Sequence, residues 1–491
     1  MDNLGSGRCL VRSPPPESPF PLYGLPSLPL ALAGCFSPWL AMPGPGPGLG
    51  ALLAAPLLLA LTLVLSSPWP PWDPPPPQPR SLTQELEQRQ RDLSTLAASL
   101  EEEEEEGQKE GWLGCAELSG ARVLGLAGAG ITKLVLRVGL GGRAGGGGEV
   151  ALKAVHWAGG DVQGCVRHYG HFGGCYRLAA AKLRKEAALL RRLDHPGIVK
   201  LLGQCSDSSL SGPEMKVVTM LELGKPLEMI QLLQTPWEER FKICLDLIEL
   251  LYYMANSPLG SIALLDFQPR QFVLVNGSLK VTDLDDVTTT ELPCQVDEDC
   301  MLEFPTKNFS LQCTVQGKCE GINEKRNLFN AYRYFFTYLL PHTAPLALQP
   351  ILKDILNATG DLRYGVNETL RAFQKVLHLY KSGLYLQRKT SNLREYIALK
   401  GFHTTDTEDY KCWPSNSHLG CMLSVHNAEE AATICNSHPQ CQHFTITPQR
   451  TWTGRPLALF QSNLSDLIPG GPMVVYVKRS TASKRSFFQE A

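Results

Sequence analysis

A β-rich run that closes on a lysine, Val150-Ala151-Leu152-Lys153, is followed by a helical stretch carrying Glu186. That stretch runs into Leu193-Asp194-His195-Pro196-Gly197-Ile198-Val199. Gly128-Ala129-Gly130 lies upstream of this passage, and Asp266 and Asp283 lie downstream. Each piece is weak alone. Their order, spacing and strand or helix contexts constrain the chain far more than any single motif does. Around them, 134–138 and 150–155 read as strands joined by a glycine-rich turn over 139–148. Residues 179–193 follow a helical period, 216–223 read as a strand, and 238–253 form an amphipathic helix with Phe241, Leu245, Ile248 and Tyr252 spaced by turns. A strand pair at 272–275 and 279–282 surrounds the Asn276-Gly277 turn, and helices continue to about residue 385. Strands first and helices later predict an α+β chain with a small β-rich lobe followed by a helical lobe.

The 491 residues suffice for one large two-lobed domain with flanking modules. Apolar content of 43% and charge of 19% describe a globular protein, and a net charge of −2 gives no reason to expect nucleic acid as a partner. The fifteen cysteines fall in local groups without a single Cys-x-x-Cys pair. They read as disulfides made in an oxidising compartment, not as a zinc site. Residues 49–65 form an apolar run followed by Ser66-Ser67 and a proline-rich stretch. This reads as a secretory signal or signal-anchor, the one expected membrane contact, and Met42 offers an alternative start just ahead of it. Sequons at Asn276, Asn308, Asn357, Asn367 and Asn463 agree with secretion. The chain thus divides into a Pro/Gly-rich region at 1–80, a short helical acidic stalk at 81–110, a central domain at 112–385 and a cysteine-containing extension at 386–491. Leu82, Leu86, Leu93, Leu96 and Leu100 share a helical face in the stalk, and the glutamates 101–106 that follow read as a solvated spacer.

The central domain resembles the protein kinase superfamily, and the resemblance implies a bilobal kinase-like fold with ATP and Mg2+ or Mn2+ as cofactors. The run 127–135 aligns with the glycine-rich loop, so Gly128, Gly130 and Val135 would cover the nucleotide; Lys133 stands where the third glycine is expected. Lys153 would bind the α- and β-phosphates and pair with Glu186. The plainer reading of Lys153 is a surface lysine on an edge strand. By the same alignment Leu221 is the gatekeeper, and Glu222 and Leu223 form the hinge that would hold adenine. The catalytic loop reads Leu264-Leu265-Asp266-Phe267-Gln268-Pro269-Arg270-Gln271, which makes Asp266 the catalytic base and places Gln271 where a metal-binding Asn is expected. Gln271 is one methylene longer but still offers an oxygen to a hard cation. Thr282-Asp283-Leu284-Asp285 replaces Asp-Phe-Gly, with Asp283 as the metal ligand. Turn-capping is the plainer role for such aspartates.

An insertion between Lys153 and Glu186 carries Cys165 and Cys175, expected to bond to each other. Cys294, Cys300, Cys313 and Cys319 lie after Asp283 and permit three connectivities. Two disulfides there would hold the activation segment fixed. In the extension, Cys412, Cys421, Cys435 and Cys441 fit either a small PAN/apple-like module or a brace on the helical lobe.

The stretches LLDFQPRQFVLV, LKVTDLDD, EFPTKNF and NEKRNLFNAYRYFFTYLLPH resemble the secretory-pathway extracellular tyrosine kinase family known as vertebrate lonesome kinase, over about residues 112–480. The resemblance implies phosphorylation of tyrosines on secreted and extracellular matrix proteins, in the Golgi and outside the cell, with roles in skeletal and tissue development. A secreted pseudokinase scaffold and a kinase for sugar hydroxyls are the alternatives.

Overall fold

The computed structural model describes residues 81–101, 112–141, 148–206, 217–386, 392–404, 409–464 and 467–482. The apolar run at 49–65 and the glutamates 102–106 lie outside them. Among the described residues no helix is long and apolar enough to cross a membrane.

Five antiparallel strands build the first lobe: β1 (Arg122–Ala129), β2 (Lys133–Gly139), β3 (Glu149–Val155), β4 (Leu201–Ser206) and β5 (Val217–Glu222), in the order β1-β2-β3-β5-β4. Lys153 pairs with Val135 on one side and Thr219 on the other, so it sits on the central strand. The edge-strand reading is thereby set aside: Lys153 is buried. The Phe172–Arg192 helix packs on this sheet through Leu183, Ala187, Leu189 and Leu190, the apolar positions of its helical period. The Cys165–Cys175 disulfide pins its first turn to the preceding Gly160–Tyr169 helix.

The helix expected in the stalk is present as Leu82–Glu101. It is not free-standing. A Cβ on Gly174 would lie 2.5 Å from Leu82 Cδ2, so the Leu82 side chain fills a notch that only glycine leaves open on the Phe172–Arg192 helix. A second glycine notch serves the entry to the sheet. Leu113 bridges to Gly203, whose Cβ would lie 2.0 Å from the Leu113 carbonyl oxygen. That contact brings Cys115 to Cys205, a disulfide spanning 90 residues.

The second lobe is built around the Trp237–Ala255 helix, whose Phe241, Leu245 and Ile248 are buried while Tyr252 is exposed. Phe272, Phe335, Phe336 and Phe373 close the same core. Here β6 (Lys225–Pro226), β8 (Phe272–Val275) and β9 (Ser278–Val281) form one small sheet, and β7 (Ala263–Leu264) pairs with β10 (Val287–Thr288). Asn276 and Gly277 both take positive φ, 51° and 76°, in the tight turn between β8 and β9. The activation segment carries a hairpin of β11 (Met301–Phe304) and β12 (Lys307–Ser310). Its four cysteines pair as Cys294–Cys313 and Cys300–Cys319, two interleaved loops. Cys244, at the centre of the helical core, is the one free cysteine among the described residues.

The extension folds on its own five-stranded antiparallel sheet, β13 (Tyr396–Thr404), β17 (Leu467–Lys478), β15 (His443–Arg450), β16 (Pro456–Gln461) and β14 (Cys421–Ser424) in spatial order, with the Ala428–Ser437 helix against it. Cys412–Cys421 and Cys435–Cys441 staple it, and Phe444 and Phe460 centre its core. It also braces the helical lobe. Arg455 reaches from this module to the Tyr380 carbonyl (3.0 Å) and the Tyr385 hydroxyl (3.0 Å), while Thr453 donates to Glu238 (2.6 Å). The asparagines of all five sequons are exposed.

His443 is fully buried in this module, and burial pushes its pKa down to about 4. The folded state therefore holds the neutral ring, and its stabilising contribution is complete above the unfolded value near 6.5. It should fall as pH drops from about 6.5 to about 4, by roughly 3 kcal/mol over the window. Thermal melts of the whole protein at stepped pH should show this decline, and a His443→Gln variant should show a shallower one. Equal slopes would remove His443 as the cause.

Candidate active site

The residues singled out along the sequence converge where the two lobes meet. Lys153, in the middle of β3, donates from Nζ to Glu186 Oε1 at 2.5 Å and to the Thr282 carbonyl at 2.7 Å. Glu186, 1% exposed, points from the Phe172–Arg192 helix into this contact. The second carboxylate oxygen of Glu186 accepts from Lys133 Nζ at 2.8 Å. Lys133 opens β2 directly after the Gly130-Ile131-Thr132 turn and also reaches Asp283 and Asp285, the latter at 3.0 Å. Two buried lysines and three carboxylates thus share one site.

Their titration follows from that packing. Burial alone would push the Lys133 ammonium down, but Glu186, Asp283 and Asp285 reverse it and hold the lysine above its usual value. Burial likewise opposes the charged form of Asp283, yet Lys153 and Lys133 keep this carboxyl below its usual range. Asp285 moves the other way: burial, with Asp283 and Glu186 nearby, outweighs Lys133 and raises it.

The catalytic-loop segment follows β7. Asp266 accepts from Gln268 Nε2 at 2.6 Å, Gln271 Nε2 at 2.5 Å and Arg270 at 3.2 Å. The Thr282 N–H donates to the Gln271 carbonyl at 2.9 Å, and the Leu265 N–H to the Asp286 carbonyl at 2.9 Å. These bonds tie the Asp266 loop to the strand end that carries Asp283. No described residue donates to the Gln271 side-chain oxygen. That oxygen and the Asp283 carboxylate are donors of the hard, oxygen type that a divalent cation such as Mg2+ takes. Above, Gly128 sits in the open one residue before the end of β1, with no atom beyond its chain neighbours within 4 Å of where a Cβ would sit. Val135 stands opposite Lys153 in the sheet. At the back of the cleft Leu221 is buried, and the Glu222 carboxylate accepts from Lys280 (2.5 Å) and from the Lys200 N–H (2.8 Å). Leu223 follows, half-buried against the core.

Sequence reasoning missed the residue that holds the loop from behind. Asn327, 1% exposed on the Ile322–Ala331 helix, accepts from the Leu264 N–H at 2.9 Å and donates to the Ile262 carbonyl at 2.7 Å. A polar residue in a helix carries no signal of such a role; only its burial reveals it. An Asn327→Ala variant orphans two buried backbone groups, so a loss of about 3 kcal/mol is expected in chemical denaturation. A loss under about 1 kcal/mol would show that water satisfies both groups.

A family profile described as the protein-kinase domain of FAM69 matches residues 184–359, from within the Glu186 helix into the Gln349–Gly360 helix of the large lobe. The human protein named extracellular tyrosine-protein kinase PKDCC is 55% identical over 372 residues, which cover 75% of this chain and 74% of that protein. The chain belongs to this kinase family. It is a protein kinase with the two-lobed fold. Membership in the kinase family implies ATP and a divalent cation in general, and protein substrates in general.

Proposed function

We propose that this kinase transfers the ATP γ-phosphate to tyrosine hydroxyls of secretory-pathway and extracellular matrix proteins, acting in the Golgi and outside the cell and contributing to tissue and skeletal development. The observation that carries the reading is the closed Lys153–Glu186 pair, 2.5 Å, with Asp266 and Asp283 on neighbouring segments of the same cleft. The tyrosine and extracellular parts rest on the name of the human relative. The six disulfides among the described residues and the exposed sequons support an oxidising compartment.

In this reading Lys153 holds the α- and β-phosphates and Glu186 keeps its ammonium in place. Asp283 and the Gln271 oxygen hold Mg2+ or Mn2+, which when bound neutralises charge on the phosphates. Gly128, Gly130 and Val135 cover the nucleotide, and Glu222 and Leu223 receive the adenine through their backbone. Asp266 orients the substrate hydroxyl and accepts its proton; its three side-chain donors keep the carboxylate aimed.

The test is phosphotyrosine on co-secreted proteins with wild type and with Asp266→Ala, Asp283→Ala and Lys153→Met variants secreted at normal levels. The signal should vanish in all three. Phosphotyrosine that persists in all three would overturn the assigned roles. Phosphate found only on sugars would replace the substrate class.

A further inference from the structure

Two departures from the usual kinase pattern have no part in the catalytic assignment. Lys133 stands where the third loop glycine is expected, and Asp285 stands where the glycine of Asp-Phe-Gly is expected. Far apart in the chain, they meet in the fold. Lys133 Nζ lies 3.0 Å from Asp285 Oδ2 and 2.8 Å from Glu186 Oε2, and it bonds the same oxygen, Oδ1, of Asp283 that Lys153 approaches at 3.8 Å. Lys133 is 5% exposed. A lone ammonium or a lone carboxylate in so dry a place is strongly unfavourable, and the two together offset each other. The pair adds one charge of each sign, so the net charge remains that of Lys153, Glu186 and Asp283 alone.

We propose that Lys133 and Asp285 form one compensated unit in which the Lys133 ammonium is a built-in counter-ion to Asp283 and sets how readily that aspartate accepts the divalent cation. The inference deepens the proposed function and rests on its assignment of Asp283. Lys133 is a positioning residue here, acting through Asp283. A cation arriving at Asp283 competes with Lys133 for one carboxylate oxygen. Asp285 and Glu186 give the displaced ammonium somewhere to stay, so it is not stranded when the metal binds. Removing Asp285 should tighten the grip of Lys133 on Asp283 and oppose the metal. Removing Lys133 should leave three carboxylates against one lysine and favour it.

Thermal melts of the purified full chain, with a fixed concentration of a non-hydrolysable ATP analogue and increasing Mg2+, read the half-saturating Mg2+ concentration directly. Asp285→Asn should raise it about fivefold or more, and Lys133→Met should lower it by a similar factor. The double variant Lys133→Gly/Asp285→Gly, which restores the ordinary kinase residues, should return within about threefold of wild type. A purely structural role would move the metal-free Tm of each variant and leave the Mg2+ midpoint unchanged; that outcome overturns the inference, as do single variants that shift the same way. If Lys133→Met is not secreted, the midpoints of Asp285→Asn and of the double variant decide: a raised midpoint in the first and one within about threefold of wild type in the second support the inference, and an unchanged midpoint in Asp285→Asn overturns it; if the double variant is not secreted either, compensation is wrong. Wild type that gains no stability from nucleotide and Mg2+ together would overturn the proposed function, and this inference with it.

Discussion

An Asp266→Ala variant should be secreted and should bind nucleotide as wild type does, yet transfer phosphate about 10^2- to 10^4-fold more slowly. The expectation follows from where Asp266 sits. Its side chain is about a third exposed and is held by Gln268, Gln271 and Arg270, all of which keep access to water when it is gone. The fold therefore loses little. The contact with Lys153, Glu186 and Asp283 is untouched, so nucleotide-dependent stabilisation should survive. Single-turnover rates beside thermal shifts with and without nucleotide check both halves. A rate within threefold of wild type would remove Asp266 as the base. Lost nucleotide binding would mean that the loop itself had collapsed.

An Arg455→Ala variant should show the opposite pattern, a large loss of stability with no direct effect on chemistry. The Arg455 guanidinium is 3% exposed and donates to Glu430 at 2.6 Å, to the Tyr380 carbonyl and to the Tyr385 hydroxyl, while it lies 4.0 Å from the centre of the Tyr380 ring. Burial would lower its pKa, but Tyr380, Glu430 and Tyr385 hold it above the ordinary arginine value. Truncation strands Glu430 in a site only slightly open to water, so a loss of about 3–5 kcal/mol is expected. Arg455→Lys keeps the charge but not the planar fork, and should lose a smaller part. Because these contacts join the C-terminal module to the helical lobe, wild type should melt in a single transition and Arg455→Ala in two. One unbroken transition at the wild-type Tm would show that the two cores are coupled through other contacts.

These two sites differ in how far they could be read from the chain. Lys153, Glu186, Asp266 and Asp283 were legible because each stands at a fixed distance from a local pattern: the end of a strand, the face of a helix, the turn after a strand. The two lobes were legible for the same reason, since periods of two and of three to four residues are local. Lys133 was visible as a missing glycine but not as a partner of Asp285, because their meeting depends on the β1–β2 register and on the closure of the lobes. Asn327 and Arg455 look like any polar residue on a helix or loop; burial gives them their roles, and burial is a property of the whole fold. Cys115 and Cys205 had no neighbouring cysteine to suggest a pair. The activation-segment cysteines were countable but not assignable, and only the hairpin of β11 and β12 brings Cys294 to Cys313 and Cys300 to Cys319.

Cys244 gives the molecule a reporter of its own opening. Its thiol is fully buried in the helical core, and burial holds it well above the ordinary thiol pKa, so the reactive thiolate is scarce while the lobe stays closed. Among the described residues no other free thiol competes with it. Alkylation at this one position, followed by peptide mass over time, therefore counts excursions of the large lobe without any engineered probe site. Ligands and substitutions that steady or loosen the lobe can be ranked by that clock in the native medium, at concentrations far below those that calorimetry needs.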